Sequence, residues 1–232
     1  MARHHVLVDA CVAAAHYAPK STAGANLRVR AARLFAGSSP DMTVKLLMPN
    51  FCIAEVFAVF EKYRWGRTWN KQVKADHALT PRQFNASRAA FRKAIHNGAE
   101  ILPVDLNRYH ILAVDLVSPV NNAYKIKRDR GRKKNVSPAK TYDMLIVAMG
   151  VWLKHQFGGD DLTVVTGDQR LAAVVERAKS AKLGVAIKRH LTSVANDMGL
   201  IYSPELYPKV VDLTHASKAE LNQRFPNWTP SW

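Results

Sequence analysis

A chain of 232 residues that is 48% hydrophobic and 22% charged has the make-up of an ordinary folded domain, which excludes a wholly disordered protein. Lysine and arginine number 34 against 18 aspartate and glutamate, a net charge of +16, and such an excess favours a polyanionic partner, nucleic acid before membrane. No apolar run reaches the ~18 residues of a membrane span, and no N-terminal apolar stretch with a small-residue cleavage site argues for secretion, so a cytoplasmic protein with reduced Cys11 and Cys52 is expected.

In chain order, residues 5–8 read as a strand and the Ala-rich stretch 10–18 as a helix. LRVRAARLFA (27–36) is helical in pattern, and TVKLLMP (43–49) reads as a second strand. Pro49 is expected in the first turn of a helix running to about Trp65. Thr80-Pro81 opens another helix, which Gly98 ends. AEILPVDL is a strand reaching Asp105, which is expected to cap the helix RYHILAVDLV; Asp115 is then a surface charge. The apolar helix 141–155 follows, then the GGDD turn, a four-residue strand in LTVVTGD, the helix QRLAAVVERAKSAK and a late strand in 208–214. Short strands separated by helices imply a three-layer α/β/α sandwich with a central parallel sheet. Right-handed crossovers then put every strand's carboxyl end on one edge, where ligands bind in such sheets. His4 and His5 flank the first strand as half-exposed packing residues.

Four acids stand where that edge should be. Asp9 and Asp168 each follow a strand, and Asp143 opens the 141–155 helix. Each of the three is open to a plainer reading, as a helix cap or first-turn acid worth ~1 kcal/mol. Glu55 lies inside PNFCIAEVFAVFEKY, which has almost no polar face, so it is expected to be paired, protonated or bound to a cation. An arginine partner is the plainer alternative there. Carboxylates converging on one edge repel one another, and a divalent cation removes that penalty; all-oxygen donors suit Mg²⁺ or Mn²⁺.

VLVD, PNFCIAEVF, TYDMLIVAM and LTVVTGD, in that order, resemble the four acidic motifs of PIN-domain nucleases, whose best-known small members are the VapC-type toxin ribonucleases. The resemblance runs from about residue 5 to about 213. It implies a single PIN-like domain over 1–215 with basic insertions at about 61–98 and 119–140, followed by a tail at 216–232. It also implies that Asp9, Glu55, Asp143 and Asp168 hold Mg²⁺ or Mn²⁺ for RNA phosphodiester hydrolysis, with Thr166 orienting Asp168 or a water at the metal. Family members often carry a small polar residue where this chain has Cys11. A cognate antitoxin and a homodimer are the partners such a protein would have.

Half of the basic residues fall in the two insertions, about a quarter of the chain. Lys125, Lys127, Arg128, Arg130, Arg132, Lys133 and Lys134 precede the helix that bears Asp143 and are expected to clamp a phosphate backbone; a solvated loop is the alternative. In EKYRWGRTWNK, Tyr63, Trp65 and Trp69 are open to base stacking or to packing, with packing favoured. Trp228 and Trp232 in the tail either dock on the core or capture a partner. A metal-dependent endoribonuclease is the leading expectation, beside a catalytically idle nucleic-acid-binding module and a structure-specific DNA nuclease.

Overall fold

The computed structural model describes residues 4–19, 24–37, 44–69, 78–96, 98, 100–123, 139–158, 161–180, 183–225, 228 and 232, with side chains excepted at 66–69 and 161. Five parallel strands form one sheet: β1 (His4–Val8), β2 (Val44–Pro49), β3 (Ile101–Val104), β4 (Asp161–Thr166) and β5 (Lys209–Asp212). Their order is β3-β2-β1-β4-β5. The chain therefore builds outward from β1 in one direction and then from β4 in the other, so the order reverses between β1 and β4. That reversal leaves a crevice at the carboxyl ends of these two strands.

The helices are α1 (Ala10–Tyr17), α2 (Ala25–Ala36), α3 (Asn50–Trp69), α4 (Pro81–His96), α5 (Arg108–Leu112), α6 (118–123), α7 (Thr141–Gln156), α8 (Gln169–Ala178), α9 (Val185–Asp197) and α10 (Lys218–Arg224). Right-handed crossovers place α1, α3 and α4, which pack together, on one face of the sheet. The same rule puts α5, α7 and α8 on the other. This is the expected three-layer sandwich. No helix among the described residues is long and apolar enough to cross a membrane.

Several boundaries differ from the sequence reading. Pro49 ends β2, paired with Val104, and the helix starts one residue later and runs on to Trp69. A proline lacks an N–H, so it terminates a ladder as readily as it opens a helix. Asn107, not Asp105, caps α5: its carboxamide oxygen accepts from the amides of Tyr109 and His110 at 3.0 and 3.1 Å. After Leu112 the chain tightens into a 3₁₀ turn, Ala113–Leu116. Strand β4 has six residues rather than four, and α9 and α10 had no counterpart in the sequence reading.

Between residues 61 and 98 the described chain forms the end of α3 and all of α4. Phe84, Phe91 and Ala94 of α4 are buried in the common core. Thr80 and Gln83 exchange hydrogen bonds at its start, and Gly98 follows its end at φ +60°, a left-handed conformation that side chains disfavour. Tyr63 is buried, and its carbonyl accepts from Leu79 N–H, which makes it a packing residue and not a base platform. Trp65 is half-buried under Arg64 and donates to Glu61; the Trp69 side chain lies outside the described residues.

The chain's last aromatics also dock on the core. Trp228 donates from Nε1 to the Arg33 carbonyl at 3.0 Å, and Phe225, Trp228 and Trp232 form a mutually packed cluster. Phe225 stacks on His4 and Phe157 on His5. His5 is thereby buried, more deeply than expected.

Candidate metal centre

Asp9 leaves β1 at the crevice between β1 and β4. Its backbone N–H donates to Val165 of β4 at 3.0 Å. The residue precedes α1, yet its side chain makes no capping hydrogen bond to that helix. Instead the carboxylate turns to β4: Oδ2 accepts from Thr166 Oγ1 at 2.7 Å and from Cys11 Sγ at 2.9 Å. Asp9 thus holds the N-cap position of α1 without using its side chain for a capping bond. Thr166 in turn accepts from the Asp168 amide at 2.9 Å, so this hydroxyl orients Asp9 and not the Asp168 carboxylate.

Cys11 supplies the contact that a small polar residue would make. Its sulfur accepts from the Gly167 N–H at 3.1 Å while donating to Asp9. Burial and the nearby Asp9 charge push the thiol's pKa well up, so it remains protonated and keeps donating. A Cβ at Gly167 would lie 2.6 Å from Leu27 Cδ2, so a larger residue there would require that side chain to shift. The buried Cys52 is likewise held as a thiol, by burial first and then by the Asp9 charge.

Asp168 and Asp143 both keep their plainer roles. Asp168 caps α8 by accepting from the Arg170 N–H at 2.8 Å, and Asp143 reaches back to the Lys140 N–H at 2.7 Å. Asp168 is further gripped by the Arg170 guanidinium, Nη2 to Oδ2 at 2.5 Å and Nε to Oδ1 at 3.0 Å.

Glu55 departs from expectation. Buried residues of α3 fall at Cys52, Val56, Phe60 and Tyr63, a single stripe, while Ala54, Glu55 and Ala58 face solvent. The helix is apolar in composition, but only that stripe is covered, because α3 lies in an outer layer on one face of the sheet and its far side meets solvent. Glu55 is thus an exposed acid at the rim of the crevice and not a charge buried in a core.

The four carboxyl groups nonetheless sense one another. Burial raises the pKa of Asp9, and the Asp168 charge adds to the rise against the hydrogen bonds from Cys11 and Thr166. Glu55 is raised by partial burial and then by Asp9 and Asp143. Asp143 is raised by burial, with Asp168 and Asp9 contributing and the Lys140 amide opposing. Asp168 alone moves down: burial works against its charge, but the Arg170 hydrogen bonds prevail. Lys140 favours ionisation of both Glu55 and Asp168.

Donor type fits a hard divalent cation, since four carboxylates are all-oxygen donors. The side chains as they stand do not converge: among the described residues no group of three His, Cys, Asp or Glu is placed to hold a metal ion. Asp168 is turned to Arg170, and Glu55 stands at the rim.

Lys140 and Arg170 were not read from the sequence as parts of this edge, whereas Cys11 was read there as standing where a small polar residue is usual. A basic residue two positions after a helix-capping Asp is a usable signal for Arg170; that the Cys11 thiol itself makes the contact to Asp9 emerges only with β4 beside it. The basic residues expected to clamp phosphate, Lys125, Lys127, Arg128, Arg130, Arg132, Lys133 and Lys134, lie outside the described residues. Neither a protein-family model nor a curated protein matches the chain.

Proposed function

We propose that this protein is a metal-dependent endoribonuclease of PIN-like type that hydrolyses RNA phosphodiester bonds. One observation supports the reading: in a molecule of net charge +16, acids from four separate segments stand close enough at the carboxyl edge to bear on one another's ionisation, and three of them are shifted toward their protonated forms. Asp9, Glu55, Asp143 and Asp168 would hold Mg²⁺ or Mn²⁺. A bound cation of this kind supplies Lewis acidity, activating water for attack on phosphorus and relieving charge on the leaving oxygen.

The protein's own groups set the stage for that chemistry. Thr166 and Cys11 lock the Asp9 carboxylate in orientation, and the Asp143 carboxylate is tethered through the Lys140 amide. Lys140 and Arg170 place positive charge beside the acids, where the phosphate backbone of a bound strand would lie. The net charge speeds encounter with RNA and makes affinity fall with salt.

A second reading has its own support. The Arg170 grip on Asp168 neutralises one acid internally, as it would in a catalytically idle RNA-binding module. A nuclease acting on DNA shares every feature of the crevice. The test is incubation of the purified protein with single-stranded RNA and DNA in Mn²⁺, Mg²⁺ or EDTA, beside Asp9→Asn. Metal-dependent RNA cutting that falls at least about a thousandfold in the variant, the scale of losing a metal's contribution to the barrier, is expected. Binding without cutting in any metal sinks the nuclease reading, and preferential cutting of DNA redirects it.

A further inference from the structure

Two aromatic rings stand at the acidic edge with no part in the carboxylate network. Phe51 lies in the first turn of α3 and Tyr142 in the first turn of α7, their centroids 5.7 Å apart and their planes 15° from parallel. Phe51 is half-buried, whereas Tyr142 is 56% exposed. Other tyrosines are better covered: Tyr63 and Tyr207 are buried, and Tyr17 and Tyr109 are half-buried in ring stacks. Tyr142 thus offers a flat, exposed ring already backed by a second one.

Its position ties it to the site. Phe51 precedes Glu55 by four residues, one helical turn, so both lie on the same side of α3. Tyr142 directly precedes Asp143, and Lys140 lies two residues earlier, close enough to influence Glu55 and Asp168. Ring, cation and acids therefore share one small area at the sheet's carboxyl edge. A duplex hides the faces of its bases, whereas a single strand can splay a base onto a protein ring and leave its phosphate beside a cation.

We propose that Tyr142, backed by Phe51, is a stacking platform for an unpaired base of single-stranded RNA, and that it selects unpaired over duplex substrate at the acidic edge. The choice of RNA rests on the nuclease reading above; the stacking itself does not require cleavage. Every base has a π face, so the platform discriminates strandedness and not sequence.

Affinity is to be measured in EDTA, where no cutting intervenes, by fluorescence anisotropy with an oligouridylate of about ten nucleotides and an RNA duplex of similar length. Tyr142→Ala is expected to weaken single-strand binding roughly tenfold while leaving duplex binding within about twofold, and Tyr142→Phe is expected to keep wild-type affinity. A circular-dichroism melt of Tyr142→Ala checks that the fold is retained. Unchanged single-strand affinity in Tyr142→Ala, an equal loss on both ligands, or no single-strand binding by the wild type overturns the proposal. Binding that depends on Tyr142 in a wild type that cuts nothing in Mn²⁺ upholds the platform and removes the nuclease reading alone.

Discussion

The two edges of the sheet are built on opposite terms. At the edge where the strands begin, His4 stacks on Phe225 and His5 on Phe157, with Trp228 and Trp232 packed behind. Every ring there finds another, and burial of aromatic surface stabilises the fold directly. At the edge where the strands end, the charges of Asp9 and Asp143 oppose the ionisation of Glu55, and those of Asp168 and Asp9 oppose that of Asp143. Stability is gathered at one edge and spent at the other, the usual relation between a scaffold and the site it carries.

That contrast is open to direct attack. The largest effect is expected at the aromatic edge: Phe225→Ala removes a 3%-exposed ring and should destabilise by about 3–5 kcal/mol in urea unfolding. RNA cutting well below the variant's Tm should survive, since the acids lie at the other edge; loss of cutting by a folded variant would mean that the edges are not separable.

At the acidic edge the sign reverses. Asp9, Glu55 and Asp143 hold protons more tightly when folded than unfolded, so their ionisation costs stability as pH rises through the raised values. Asp168 acts oppositely, its contribution being lost as pH falls through the lowered value. In EDTA, Asp9→Asn should therefore match or exceed the wild-type Tm, with the variant's advantage growing from acidic to neutral pH. Mg²⁺ should raise the wild-type stability by about 2.7 kcal/mol at a hundred times its Kd, and the variant's far less. A pH-independent Tm difference together with no Mg²⁺ effect would show that the acids do not act jointly.

The smallest effect sharpens the picture around one atom. Cys11→Ala deletes the donor to Asp9 and should cost about 1 kcal/mol, whereas Cys11→Ser, which restores a donor, should cost less. Equal losses in the two would assign Cys11 to packing alone.

The alternation of apolar strand and amphipathic helix made the sandwich legible, because a strand buried on both faces must be apolar throughout and the helices covering it must not be. Asp9, Asp143 and Asp168 were legible as strand-end and helix-start acids for the same reason. Glu55 misled: composition alone made α3 look buried all round, while the packing covers only the stripe through Cys52, Val56, Phe60 and Tyr63. Thr166 is read from the sequence as orienting Asp168 or a water at the metal; the parallel register sets Val8 beside Val165, so its hydroxyl also reaches Asp9 across the strands while accepting from the Asp168 amide.

Sequence by itself determined which segments are strands, which acids end them and that the surface is basic, since periodicity and charge are local properties of the chain. Only the tertiary structure decided that β1 and β4 lie side by side, that Cys11 and Thr166 meet on one oxygen of Asp9, that Arg170 holds Asp168, and that Tyr142 stands exposed against Phe51. These facts depend on strand order and on contacts between residues as many as 157 positions apart, and no local pattern encodes them.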